Sequence, residues 1–175
     1  MKKLYFVRHG ESEANAKGLF AGRWDVGLTE KGKKQAAKAG HDVVSLRIDC
    51  IVSSPLLRAR QTAEIIADRI GFPIDEVIYS DLLMERDYGE LQGRPWDQVE
   101  DTDFDKIPGI ETTHHLIDRA KEAVNFLGNI QAENMLLIGH GTSGRVIRDQ
   151  LLKQQNEIEV SIEQEIPNST VVEWL

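Results

Sequence analysis

The chain has a single cysteine, Cys50, in 175 residues, so no disulfide can close within it, and that usage suits a reducing compartment. It also lacks an excess of positive charge. Its 21 Lys and Arg stand against 29 Asp and Glu for a net charge of −8, whereas a nucleic-acid binder presents a basic face. No apolar run approaches the roughly 20 residues that cross a membrane. The opening Leu4-Tyr5-Phe6-Val7 is cut off by Arg8 and His9 before it can form the core of a secretory leader, which makes the cytosol the expected compartment. Asn168-Ser169-Thr170 matches a glycosylation sequon, read as coincidence without a secretory route. What is present, 41% apolar and 29% charged residues, describes an ordinary globular chain whose length suits one domain over residues 1–175.

Short, nearly all-apolar runs at Leu4 to Val7, Ile51-Val52 and Met135 to Ile138 read as strands covered on both faces. Each is followed by a helix signal. Thr29 is an N-cap ahead of Ala36, Val43, Val44 and Leu46. Ser54 and Pro55 resemble an N-cap and first helical position ahead of Leu56, Ala59, Ala63, Ile66, Ala67 and Ile70. Gly139-His140-Gly141-Thr142 leads into Val146, Ile147 and Leu151, and another amphipathic helix is predicted from Thr113 to Leu127. Thr170 to Leu175 reads as a terminal strand. Alternating strands and helices imply an α/β fold with a largely parallel sheet and helices on both faces. Residues 94–111 suggest a small cap or loop.

In such sheets ligands bind beyond the carboxyl ends of the strands. Arg8-His9-Gly10, Ser53-Ser54-Pro55 with Arg58, and Gly139-His140-Gly141 all follow strands, so two histidines and two arginines should converge there. His41, His114 and His115 have no such setting, and Arg47, Arg69 and Arg119 read as solvated helix charges. Guanidinium forks match phosphate oxygens, and a helix N-terminus after Ile138 favours an anion, so the expected ligand is a phosphate. Other phosphate chemistries lack their parts. Asp25-Val26-Gly27-Leu28-Thr29 has glycine where D-x-D-x-T needs its second aspartate, Cys50 lies too far from Arg58 for a cysteine phosphatase loop, and there is no G-x-x-x-x-G-K-[ST]. No H-x-x-x-H or carboxylate cluster accompanies His9 or His140, so neither metal nor cofactor is expected.

The blocks FVRHGESEAN, GLTEKGKKQA, SSPLLRARQTAEII, LLMERDYGELQG and LIGHGTSGRVI, in this order, resemble the histidine phosphatase superfamily, the phosphoglycerate mutase-like proteins, from about Lys3 to Leu175. A bare Arg-His-Gly occurs by chance in many chains; the ordered set does not. The resemblance implies a three-layer α/β/α fold and a phosphohistidine on His9. It implies that Arg8, Arg58 and His140 hold the phosphoryl oxygens, that Asn15 assists, and that Glu85 serves as proton donor and then base. Gly10, Glu11 and Ser12 belong to the same signature, with Ser12 expected at the rim. On chemical grounds His9 must be neutral to attack, with a carbonyl of the Gly10 turn as the candidate acceptor for its other ring N–H. A charged His140 and a Glu85 kept protonated by a partly dry pocket complete the expectation, although Asp87 or Glu90 also lies close enough in sequence to Glu85 to take its role.

The expected activity is a metal-independent phosphomonoesterase acting on a small-molecule phosphate ester. The alternatives are phosphoglycerate mutase-type transfer and a non-catalytic phospho-ligand module. The short stretch after Gly93 and the stop at Leu175 favour hydrolysis, because mutases of this superfamily carry a longer insert and a shielding tail. Asp97, Glu100, Asp101, Asp103, Asp105 and Glu111 are expected to repel a second anionic group, and Arg23, Trp24, Arg94 and Trp96 to contact the organic part at the rim. Neither a nucleic acid nor a membrane is an expected partner, and a homodimer is left open.

Overall fold

A computed structural model describes residues 3–99, 104–154 and 166–175; Glu100, Asp101 and Asp103 of the acidic stretch lie outside the described residues. Its sheet runs in the order β3-β2-β4-β1-β5, with β1 at Lys3–Arg8, β2 at Cys50–Ser53, β3 at Ile78–Tyr79, β4 at Asn134–Gly139 and β5 at Val171–Glu173. The pairs β1/β4, β4/β2 and β2/β3 are parallel and only β5 runs against β1, so the sheet is largely parallel as expected. Register matters for the site. Ile138 lies opposite both Val7 and Ser53, which brings the carboxyl ends of β1, β2 and β4 side by side.

The three central strands are buried on both faces because each alternates its contacts. Leu4, Phe6, Val52, Met135 and Leu137 pack with α4 (Thr113–Gly128) and α5 (Gly141–Gln154). Tyr5, Val7, Ile51, Leu136 and Ile138 pack with α2 (Glu30–Val43) and α3 (Leu57–Ile70) on the other face. Each large side chain so buried is worth about 1.5–3 kcal/mol. Phe6 stacks on Trp174 with ring centroids 4.3 Å apart, tying the β5 end of the chain to the core.

Local signals explain most boundaries. Thr29 caps α2 by accepting the Gly32 N–H at 3.0 Å. The α-helix closes at Val43, short of the expected Leu46, and Val44–Leu46 tightens into a 3-10 turn that Arg47 ends at φ 51°. Ser54 and Pro55 do not open α3. The helix starts at Leu57, and its first N–H is satisfied at 2.6 Å by Asp25 Oδ1, a remote carboxylate, while Ser54 Oγ pairs with His140 at 2.8 Å and accepts only the Leu56 N–H, ahead of the helix, at 3.3 Å. Two-residue β3, with Ile78 and Tyr79 half-exposed at the sheet edge, was too short to show a pattern in the sequence.

Gly10 and Gly32 mark where the loop after β1 passes under the first turn of α2. A Cβ on Gly32 would run into the Glu11 carbonyl, and one on Gly10 into the Gly32 carbonyl. Gly32→Ala should therefore destabilise the protein by about 1–3 kcal/mol in urea unfolding, although alanine is the better helix former. An unchanged midpoint would show that the crossing has slack.

Candidate active site

His9 is the first residue beyond β1, 4% exposed, and all its polar groups are engaged. Its N–H donates to Gly139 O at 3.0 Å, extending the β1/β4 ladder by one step. Its Nδ1 lies 2.7 Å from Gly10 O, which can only accept, so Nδ1 carries the proton and Nε2 the lone pair. Arg58 Nε donates to that Nε2 at 3.2 Å. The ring is thus held as one neutral tautomer. Burial, then Arg58 and Arg8, hold its pKa well below the usual histidine value, against a small opposing pull from the Gly10 carbonyl.

Arg58, on the first turn of α3, is 1% exposed, and the rest of its fork is spent on backbone: Nη2 donates to Gly22 O at 2.6 Å and Nη1 to Trp24 O at 3.0 Å. Burial brings it down to about 10, with Glu85 and Asp25 opposing, so it remains a cation at neutral pH. Arg8 ends β1 beside it, with Nη1 donating to Ile166 O at 2.9 Å. His140, the first residue beyond β4, is fully buried beneath, its ring centroid 5.1 Å from that of His9. Its Nε2 pairs with Ser54 Oγ at 2.8 Å, and its Nδ1 has no partner among the described residues.

Glu85 sits in the loop after the 3-10 turn Asp81–Leu83. Its carboxylate accepts the N–H groups of Arg86 (2.8 Å), Thr142 (3.1 Å) and Ser143 (2.8 Å), so it occupies the N-terminus of α5. Arg8, His9, Arg58 and Glu85 meet at a cavity of about 410 Å³ lined also by Asn15 and Arg145, with Phe20, Tyr88 and Trp96 as aromatic wall, while His140 is fully buried behind it and is not among its lining residues. A neutral imidazole lone pair, two flanking guanidiniums and a carboxyl group around one space is an arrangement able to receive a phosphoryl group and move a proton.

The model of the histidine phosphatase superfamily (branch 1) matches residues 4–174. The chain belongs to that superfamily. It is 34% identical over 145 residues to the "Uncharacterized phosphatase PhoE" of Bacillus subtilis, covering 82% of this chain and 74% of that protein. It is 36% identical over 154 residues to the "Probable phosphoglycerate mutase GpmB" of Salmonella choleraesuis, covering 81% of this chain and 70% of that one. Solved structures share the fold: the α-ribazole phosphatase of Shigella flexneri (TM-score 0.81, 22% identity, covering 98% of this chain and 89% of that one) and a mycobacterial glucosyl-3-phosphoglycerate phosphatase (TM-score 0.78, 22% identity, 98% and 89%). Relatives of this histidine phosphatase superfamily enzyme thus include both phosphatases and mutase-like proteins.

Several sequence expectations need correction. Ser12 is not at the rim: it is fully buried and caps the short helix α1 (Glu13–Ala16), its Oγ donating to Asn15 Oδ1 at 3.0 Å. Gly10 offers a substrate nothing, since its carbonyl holds His9 and its N–H donates to Thr62 Oγ1 at 3.1 Å. Arg23 and Trp24 line a separate shallow groove, with Arg23 Nη2 3.6 Å from Glu111, and Arg94 is exposed and absent from the cavity wall; of the rim set only Trp96 lines it. The group at the α5 N-terminus is the Glu85 side chain, where a phosphate was expected, its oxygens cradled by the Thr142 and Ser143 N–H groups. Asp105 and Glu111 are paired with Arg86 and Arg119 and do not line the cavity.

Arg119 was misread as a solvated charge. Its side chain is 14% exposed, and its Nη1 donates to Leu82 O and Met84 O at 2.8 and 2.7 Å, so α4 grips the loop that presents Glu85. No local pattern marks such an arginine. Arg145 and Tyr88 were also missed: Arg145 lies one turn into α5, and the Tyr88 hydroxyl pairs with Thr142 Oγ1 at 3.0 Å. Burial, reinforced by Glu85, pushes the Tyr88 phenol up, keeping it protonated.

His140 was expected to be charged, yet burial first, then Arg58 and His9, hold its pKa well below the usual value, so it is neutral without a ligand. Both buried histidines therefore bind fewer protons folded than unfolded. Their contribution to stability is complete above about pH 6.5 and is lost as pH falls below it, by up to about 1.4 kcal/mol per pH unit for each. Urea unfolding between about pH 7.5 and 5.5 should show stability level at first and then falling, with His140→Gln reducing the slope. A profile flat throughout would contradict neutral burial.

Proposed function

We propose that this enzyme is a metal-independent phosphomonoesterase that works through a phosphohistidine on His9, in the cytosol, on a small phosphorylated metabolite. The observation that carries the reading is the His9 ring itself: Nδ1–H fixed on the Gly10 carbonyl and Nε2 facing Arg58 at 3.2 Å beside an open cavity. A phosphate dianion entering between Arg8 and Arg58 competes for the Arg58 Nε–H and releases the Nε2 lone pair. That lone pair forms the N–P bond as the ester P–O bond breaks, and Glu85 gives a proton to the leaving oxygen. Arg8 and Arg58 hold the transferred oxygens, with Asn15 at the same wall, and His140, buried behind that wall, offers its unpartnered Nδ1 to them. Water then attacks phosphorus, the N–P bond breaks, and Glu85 takes the water proton, which returns both groups to their starting state.

Glu85 is preferred to Asp87 and Glu90 because among these carboxylates only Glu85 lines the cavity. Of the acidic segment, Asp105 and Glu111 face their own arginines and do not line the cavity, whereas Arg145 does. The short connection from Gly93 to α4 supports hydrolysis over isomerisation. The mutase reading stays in view through the 36% identical GpmB relative.

With an aryl phosphate in the presence of chelator, the wild type should release phosphate and His9→Ala should lose about 10³-fold or more. Protein label from the wild type should survive alkali and be lost in acid. With 3-phosphoglycerate and catalytic bisphosphoglycerate, phosphate release should exceed isomer formation. Activity in His9→Ala would overturn the nucleophile, an inactive wild type would favour a binding module, and dominant isomerisation would favour the mutase.

A further inference from the structure

The plane of the His9–Gly10 peptide is held from both ends by side chains outside the catalytic set. At one end Asn168 Nδ2 donates to His9 O at 2.7 Å. At the other the Gly10 N–H donates to Thr62 Oγ1 at 3.1 Å, and the Thr62 hydroxyl is itself anchored to Arg58 O at 2.7 Å in the preceding turn of α3. The next carbonyl along, Gly10 O, is the acceptor that fixes the His9 tautomer. The two anchors fix ψ of His9 and φ of Gly10, the torsions through which that acceptor is held against Nδ1.

The segment that carries Asn168 makes two further bonds to the same strand end. Ser169 N donates to Arg8 O at 2.8 Å, and Ile166 O accepts from Arg8 Nη1 at 2.9 Å. The β5 register produces this. Val171 lies opposite Val7, so the antiparallel chain ahead of it runs past Arg8 and His9. Ser169, 9% exposed with φ 53°, makes the turn that directs Asn168 onto His9.

We infer that Asn168 is a positioning residue for the His9 nucleophile, acting with Thr62 through the His9–Gly10 peptide, and that the 166–169 turn sets the Arg8 guanidinium by the same docking. The inference builds on the reading of His9 as nucleophile. It assigns a catalytic consequence to a tail segment whose sequence, Pro167-Asn168-Ser169-Thr170, otherwise looks like a surface turn. Binding of substrate uses the guanidiniums, whereas attack needs the imidazole aimed, so loss of Asn168 should act on turnover more than on affinity. A small misplacement of a reacting group costs up to about 100-fold in rate.

The test compares wild type, Asn168→Ala, the isosteric Asn168→Asp, Thr62→Val, Thr62→Ser and His9→Ala with an aryl phosphate, alongside melting curves and nitrogen NMR of the histidine rings. Expected are a kcat lower by about 10- to 100-fold in both Asn168 variants and in Thr62→Val, with KM within about threefold of wild type. Thr62→Ser, which keeps the hydroxyl, should recover most of the rate, and the protected Nδ1–H signal of His9 should be lost where kcat is lost. If Asn168→Ala does not melt cooperatively, the Asn168→Asp and Thr62 variants decide. The inference fails if folded Asn168 variants keep kcat within about twofold, or if kcat falls while the Nδ1–H signal is unchanged. An active His9→Ala fails the underlying reading instead, which separates the two.

Discussion

A neutral imidazole is held beside two guanidinium groups at the end of a buried strand, and the remaining features of the site follow from what that requires. His9 can keep an available lone pair there because burial and the neighbouring cations both oppose its protonation, while the Gly10 carbonyl claims the Nδ1 proton. That carbonyl can reach Nδ1 only if the loop after β1 turns tightly beneath α2, which is why Gly10 and Gly32 face each other without side chains. The same crossing determines which neighbours the ring meets. Strand, loop and first helical turn form one constraint.

Crowding so many cations would be costly without partners, and the partners are mostly backbone carbonyls. Arg58 donates to Gly22 O and Trp24 O, Arg8 to Ile166 O, Arg119 to Leu82 O and Met84 O, and Arg86 to Glu111 O. A carbonyl satisfies a guanidinium N–H without neutralising it, so the positive field at the cavity survives while each fork is oriented. These bonds also tie surface loops to the core. Arg58 anchors the 22–24 loop that walls the cavity, and Arg119 anchors the loop that presents Glu85. Glu85 in turn takes the α5 N-terminus, so the one acid lining the cavity among the described residues is placed by backbone N–H groups at a helix end.

The strands at Leu4, Ile51 and Met135, the amphipathic helices, and the Thr29 cap were all legible because each is written in local spacing. So was the convergence of Arg8, His9, Arg58 and His140, since residues that follow parallel strands must share one sheet edge. The α3 cap was not legible, because Asp25 supplies it from a remote loop and Ser54 is drawn to His140. Arg119 resembled a solvent-facing residue, and Asn168 nothing beyond a chance glycosylation sequon, for the same reason: their partners include carbonyls, which every residue has and no motif marks. Arg23 and Arg94 were misplaced because loop position says little about direction.

The layers, the strand ends that carry the chemistry and the superfamily could be read from the residue order, because hydrophobic periodicity and short ordered motifs are properties of neighbouring residues. The charge state of His140, the cradle around Glu85 and the separation of the Arg23 groove from the cavity came with the fold. Those depend on burial and on which distant carbonyl or N–H each side chain meets, and such distances exist only once the chain has folded.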